Sequence, residues 1–169
     1  MTNKEIGELF GELASLMELH GENEFKTRVY SNAYLVLKKM DIPLLECSKE
    51  ELSKYPGLNK AVIEKLTELA ETNKIQALEQ LRAATPEGVR KMFKIKGIGP
   101  KKVQVFWKQL NIESLGELLY ACKENRLIQI KGFGSKIQDD IIKSIEYFQS
   151  GQDSFLLPKL LKEAEALIE

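Results

Sequence analysis

One pattern, repeated three times, limits what this chain can fold into: KYPGLNKAVIEKL around Gly57, KIKGIGPKKVQVF around Gly97 and QIKGFGSKIQDDI around Gly132. The copies stand forty and thirty-five residues apart. An internal repeat outranks local propensity, because each copy is one supersecondary unit that must fold the same way. Each has a short amphipathic stretch, an apolar residue two before its first glycine (Tyr55, Ile95, Ile130), a glycine-bracketed turn and a second amphipathic stretch. Glycine serves where a chain reverses at positive φ. The repeat therefore reads as helix, tight turn, helix.

The rest of the chain agrees with an all-α fold. Ile6, Leu9, Phe10, Leu13, Leu16 and Met17 recur at three- and four-residue spacing, one apolar helical stripe, and no alternating pattern competes with it. Thr2 with Glu5, Ser48 with Glu51 and Ser114 with Glu117 each fit a capping box. Gly21 closes the first helix, Asn23 opens a second that reaches about Met40, and Ile42-Pro43 ends it. Thr85-Pro86 starts a later helix. These signals predict residues 1–82 as a four-helix domain holding the first hairpin, 83–150 as a tandem pair of hairpins, and 151–169 as a terminal helix or linker, with breaks at Arg82–Thr85 and Ser150-Gly151.

Charge sorts along the chain although it balances overall, 25 basic against 25 acidic residues. From Gly88 to Ile112 there are seven basic residues (Arg90, Lys91, Lys94, Lys96, Lys101, Lys102, Lys108) and no acidic one, whereas Thr2 to Glu24 carries six glutamates and one lysine. The basic segment is a candidate polyanion footprint. Cys47 and Cys122 lack a CxxC spacing and have one histidine, His20, to help them, so a zinc site is not assembled from local ligands and both read as free, buried thiols. No apolar run is long enough for a membrane span and no signal-peptide pattern opens the chain, which predicts a cytoplasmic protein.

The hairpins carry the chemistry. A turn without side chains lets a phosphate approach the amides at the start of the next helix, where they form an anion-binding nest. In the second copy the donors are the amides of Gly97, Gly99, Lys101 and Lys102, with Pro100 setting the helix start. Gly132, Gly134, Lys136 and Ile137 take those places in the third, which ranks lower because Asp139 and Asp140 repel a further phosphate. In the first copy, around Gly57 and Lys60, Asn59 replaces the second glycine; asparagine tolerates positive φ, so the turn is expected to persist and to bind more weakly. Amides that hold phosphates do not read bases, so binding is expected to be independent of sequence and to weaken steeply with salt.

GENEFKTRVYSNA, YPGLNKAVIEKL, KGIGPKKVQVFWKQLNIESLGEL and KGFGSKIQDDI together resemble the N-terminal part of bacterial X-family, polymerase beta-like DNA polymerases, over nearly the whole chain. The resemblance implies an eight-kilodalton lyase domain in residues 1–82 and a helix-hairpin-helix fingers subdomain in 83–150, of the SAM-like class. It implies a palm with three metal-binding aspartates further on. Only a terminal helix, Asp153 to Ile168, follows Gly151, so this chain alone is expected not to polymerise DNA, and Phe155, Leu156, Leu160, Leu161 and Leu167 form an apolar face for a missing C-terminal polymerase domain.

The same resemblance implies an enzyme in the first domain: Lys65 aligns with a lysine that forms a Schiff base with an abasic sugar, giving a 5′-deoxyribose phosphate lyase. Lys26 and Tyr30 fall where the family holds the 5′-phosphate and assists, and Lys60, Lys26 and Arg28 supply cations nearby. Phe25, Ala61 and Ala77 stand where the family places further phosphate-binding groups. No cofactor is required; a monovalent cation, Na+ or K+, is implied at the second hairpin on the backbone carbonyls of Phe93, Ile95 and Ile98. Gapped or nicked duplex is the substrate class implied. Two other readings stay open: a DNA-binding module without enzymatic activity, and a helical protein-interaction domain lined by Tyr120, Trp107 and Phe106.

Overall fold

Wherever the sequence spaces apolar residues by three and four, the chain is helical. The structure, a computed structural model, describes the backbone of residues 1–168 and the side chains of residues 1–151. Its α-helices are α1 (Asn3–Leu19), α2 (Glu24–Lys39), α3 (Lys49–Leu52), α4 (Lys60–Thr72) and α5 (Gln76–Ala83), then α6 (Glu87–Met92), α7 (Pro100–Gln104), α8 (Leu115–Lys123) and α9 (Ser135–Ile168). Leu44–Glu46 forms a 3₁₀ turn and Val105–Gln109 a π-helical turn. No strand occurs among the described residues, and among them no helix is long and apolar enough to cross a membrane. The protein is all-α.

Two compact units result: residues 1–86 with 99–105, and residues 87–98 with 106–169. In the first, α1 and α2 run antiparallel along one another, and two glycines set how closely they pack. A Cβ on Gly7 would stand 2.7 Å from Lys38 Cγ, and one on Gly11 would stand 2.9 Å from the Tyr34 ring. Phe10 fills the next position against Tyr30, ring centroids 6.1 Å apart. Leu13, Leu37, Leu52, Leu66 and Leu69 complete a core from which water is excluded. Where the sequence reads four helices up to residue 82, five α-helices form, α1 to α5, with α3 the single turn that the Ser48–Glu51 box opens.

The Thr2 and Ser48 capping boxes form as the sequence predicts. Gly21 closes α1 at φ 72°, with Glu22 N donating to Met17 O at 2.9 Å and Gly21 N to Glu18 O at 3.1 Å, which satisfies two of the helix's last carbonyls. Arg82 ties α5 back to α1: its Nε donates to Glu12 Oε1 at 2.8 Å, its Nη2 to Glu12 Oε2, and its Nη1 to Glu79 at 3.2 Å. Buried Thr85 donates to the Leu81 carbonyl at 2.7 Å and lies 2.8 Å from His20 Nε2.

In the second unit Phe106 packs on Phe133 with ring centroids 5.6 Å apart, joined in the core by Val89, Met92, Leu118, Ile141 and Ile145. Gly88 admits the backbone of the loop before α8: a Cβ there would fall 2.0 Å from the Glu113 carbonyl oxygen. Ser114 caps α8 by accepting from Glu117 N at 3.1 Å. The expected reciprocal half of that box is replaced, because the Glu117 carboxylate accepts from Glu113 N, 2.9 Å away, one residue upstream. Asn125 takes a left-handed conformation after α8, with φ 60°. Helix α9 continues through Ser150-Gly151, where the sequence predicts a break; a single glycine costs a helix about 1 kcal/mol and does not stop it. The apolar face assigned to Phe155, Leu156, Leu160, Leu161 and Leu167 lies outside the described side chains.

Candidate nucleic-acid interface

The three repeats fold into the same turn. In each, the amide between the two glycine positions donates to the carbonyl of the apolar residue three before it: Leu58 to Tyr55 at 3.3 Å, Ile98 to Ile95 at 3.2 Å and Phe133 to Ile130 at 3.1 Å. The third residue of each turn has positive φ, 89° at Gly57, 85° at Gly97 and 93° at Gly132, the conformation that a type II turn demands and glycine meets without strain. Leu58, Ile98 and Phe133 are buried. Each turn is thus anchored by one apolar side chain.

The second glycine position works differently. Gly99 is extended, φ −102° and ψ 179°, and opens α7 with no side-chain cap, Pro100 following at the start of the helix. Asn59 in the first hairpin has φ −85°, so the expected positive φ at this residue is not adopted. Its carboxamide caps α4 instead, accepting from Val62 N at 3.0 Å. Val62 occupies in the first hairpin the place that Lys102 and Ile137 occupy in the other two. One of the amides that sequence reasoning reserves for phosphate is therefore already bonded at the first hairpin.

Space around the glycines draws the same distinction. A Cβ on Gly57 would stand 2.9 Å from Val36 Cγ2 on α2, although the glycine itself is exposed. Nothing lies within 4 Å of the Cβ position at Gly97, Gly99, Gly132 or Gly134. Lys101 and Lys136 are exposed beside these open turns, and Lys60 is exposed at the start of α4. The third hairpin, Gly132 to Ile137, lies wholly in the second unit, whereas the division between units passes through the second hairpin after Ile98. Past α7 the backbone becomes π-helical, and Ile112 N donates to Phe106 O at 2.9 Å.

Of the carbonyls implied as cation ligands, that of Ile95 already accepts the Ile98 amide, which leaves it one lone pair. No group of three or more His, Cys, Asp or Glu side chains is placed to hold a metal ion among the described residues. Cys122 is fully buried, and burial pushes its thiol up to about 11. Cys47 is only partly buried, contrary to the sequence reading, because its short loop stays at the surface, where Sγ donates to the Pro43 carbonyl at 3.3 Å. Of the three aromatics considered as a partner surface, Phe106 is core and Tyr120 is exposed. The Trp107 indole donates to Glu113 at 3.4 Å, with the Lys108 ammonium 3.7 Å from its ring centroid.

In the first unit the structure brings Lys65 and Tyr30 together, the ammonium 5.4 Å from the ring centroid. Lys65 is half-buried, and Glu68, a neighbour along α4, turns its carboxylate to Gln76 N at 2.9 Å. The buried Tyr30 phenol is pushed up by desolvation, and further by the charge of Glu64. Lys26 stands one turn before Tyr30 on the same face of α2 and is exposed. Phe25, at a position where the family resemblance places a phosphate-binding group, is 78% exposed, while Ala61 and Ala77 are half-buried. Sequence reasoning missed Val36 as a neighbour of Gly57; no local pattern marks a contact between helices.

The geometry agrees with what the chain is similar to. Residues 1–75 match the family described as a helix-hairpin-helix domain, and residues 89–146 match the SAM-like helix-hairpin-helix tandem. The DNA polymerase/3′-5′ exonuclease PolX of Bacillus subtilis (strain 168) is 29% identical over 145 residues, 86% of this chain. The chain is similar to helix-hairpin-helix domains along most of its length and to one segment of this polymerase. It spans 25% of the length of that relative. The tandem match holds the turns at Gly97 and Gly132, and the other match holds the turn at Gly57, where Asn59 caps the helix that follows.

Proposed function

We propose that the chain binds duplex DNA through backbone phosphates, irrespective of base sequence, using the second and third hairpins. The observation that carries this reading is the space around Gly97, Gly99, Gly132 and Gly134, where a Cβ would meet nothing within 4 Å, at turns that repeat the geometry of the one at Gly57. A phosphate oxygen can approach amides at a helix start only where no side chain intervenes. The acid-free basic segment from Gly88 to Ile112 adds a favourable field. Likeness to a polymerase supports gapped or nicked duplex as the form bound, a polymerase domain as the functional partner, and a cytoplasmic setting. A monovalent cation on the Phe93, Ile95 and Ile98 carbonyls would add positive charge beside the second turn.

Fluorescence anisotropy with two unrelated duplexes tests the proposal. Contact with four to six phosphates gives equal affinities for both and a log-log salt slope of about −4 to −5. Absence of binding at low salt, or a strong preference between the sequences, refutes it. Gapped duplex binding more tightly than intact duplex supports the finer reading.

A second reading, 5′-deoxyribose phosphate lyase activity in the first unit, is favoured by the half-buried Lys65 ammonium poised over Tyr30. A lysine amine attacks the sugar aldehyde and forms an iminium, an electron sink for β-elimination. Borohydride should trap wild type, and not Lys65→Ala, on an oligonucleotide bearing a 5′-deoxyribose phosphate. No adduct from wild type removes the enzyme and leaves the binding module.

A further inference from the structure

We infer that Gln138 is a positioning residue for the third hairpin, holding its turn through a bond to Asn125; the inference deepens the phosphate-binding reading above and rests on it. The other two copies define its place. Ile63, Val103 and Gln138 stand at the same register on the helix after each turn. Each donates its amide to the carbonyl at the second glycine position: Ile63 to Asn59 at 3.0 Å, Val103 to Gly99 at 3.1 Å and Gln138 to Gly134 at 3.1 Å. All three side chains are buried, Gln138 to 3% exposure. Two copies fill this core position with an aliphatic side chain, and the third fills it with a carboxamide.

A buried carboxamide costs free energy unless its atoms are matched. Gln138 Nε2 donates to Asn125 Oδ1 at 3.0 Å, while Oε1 is enclosed without a hydrogen-bond partner among the described residues. Stability alone therefore favours the aliphatic choice of the other copies. What the polar choice adds is a defined partner at a defined distance, where apolar packing accepts several arrangements.

The third hairpin is the copy that needs such a tie. Helices α3 and α6 end at Leu52 and Met92, five residues before Gly57 and Gly97, whereas α8 ends at Lys123, nine before Gly132. Each further residue held in one conformation costs entropy, so a longer approach leaves its turn less firmly placed. Asn125 stands within that approach at φ 60°, and its amide donates to Cys122 O at 3.0 Å, which fastens it to the end of α8. Its carboxamide meets Gln138 in the first turns of α9, so one bond joins the two arms of the hairpin, with Gly132 and Gly134 between them in the chain. Amides set in place beforehand bind a phosphate more tightly than amides that must be ordered on contact.

Two variants of the full chain remove this bond and move stability in opposite directions. Gln138→Met keeps the length of the side chain and removes the unmatched oxygen, and Asn125, being exposed, bonds to water instead, so melting should be no lower than in wild type. Asn125→Gly keeps the left-handed backbone but strands the whole Gln138 carboxamide, so melting should fall. Both should bind duplex more weakly, by about three- to tenfold. Added to Gly134→Ala, whose methyl already obstructs the third turn, either variant should cost no further affinity. Wild-type affinity in both variants, or losses that add in full to that of Gly134→Ala, overturns the role of Gln138 and leaves the hairpin reading standing. Binding that tracks melting, kept in Gln138→Met and lost in Asn125→Gly, overturns it too, by showing that the bond serves only the fold. Wild type that binds no duplex, or Gly134→Ala that binds as wild type does, removes the third hairpin from the DNA reading, and this inference with it.

Discussion

Replacing Gly134 by alanine separates binding from folding at the third hairpin. The backbone at Gly134 is outside the positive-φ region and a Cβ there meets nothing within 4 Å. Alanine in a compatible backbone stabilises by about 0.4–1 kcal/mol through the unfolded chain, and as a poor helix cap it returns a comparable amount. Gly134→Ala should therefore lie within about 1 kcal/mol of wild type, a shift of roughly 2–4 °C in Tm. Gly132→Ala carries the strain of φ 93°, about 1–2 kcal/mol, and Gly57→Ala adds to similar strain a Cβ 2.9 Å from Val36 Cγ2. If a phosphate seats on the third hairpin, the methyl at Gly134 stands in its way. Loss of that contact costs about tenfold in affinity and reduces the salt slope by about 0.9. Thermal melts and anisotropy titrations at several salt concentrations read both quantities. Wild-type binding by Gly134→Ala, or destabilisation equal to that of Gly132→Ala, refutes the reasoning.

Three further outcomes follow from the packing. Gly88→Ala should be among the most damaging single substitutions, costing several kcal/mol by order of magnitude, because its Cβ would sit 2.0 Å from the Glu113 carbonyl oxygen and the obstacle is backbone; a urea midpoint near that of wild type contradicts the close approach. Asn59→Ala should lose the cap on Val62 N, about 1 kcal/mol, with no change in salt slope; a shallower slope assigns phosphate contact to the first hairpin. Burial raises Cys122 to about 11 from 9.0, so the folded protein keeps this proton when the unfolded chain has lost it. The stability it supports is complete below pH 9 and falls as pH rises from 9 toward 11, by about 1.4 kcal/mol per unit. Cys122→Ala should lack that increment in urea denaturation across the window; an identical alkaline loss in the variant places the cause elsewhere.

Much of the fold was legible because the signals were local. Thr2, Ser48, Asn23 and Gly21 each act within four residues of themselves, and each does what its type predicts. The hairpins were legible because one sequence pattern repeats one turn. What escaped was set by contacts distant in sequence. Asn59 reads as a tolerated stand-in for glycine at positive φ, but its neighbour Gly57 already supplies the reversal, which frees Asn59 to cap α4. Nothing near Gly57 announces that Val36, on another helix, packs beside it. Arg90 was visible only as one of seven basic residues; that its Nε has no hydrogen-bond partner among the described residues is a property of packing. Phe106, weighed as part of a partner surface, belongs to the core with Phe133, and helical spacing alone does not tell which stripe turns inward.

Amide nitrogens that hold a phosphate should report it themselves. In a ¹⁵N–¹H correlation spectrum titrated with duplex DNA, the largest shifts are expected at Gly134, Lys136 and Ile137 and at Gly99, Lys101 and Lys102, with Val62 nearly still because Asn59 already occupies it. Shifts confined to other surfaces, such as the exposed Tyr120 and Tyr147, with the hairpin amides unmoved, would contradict the account.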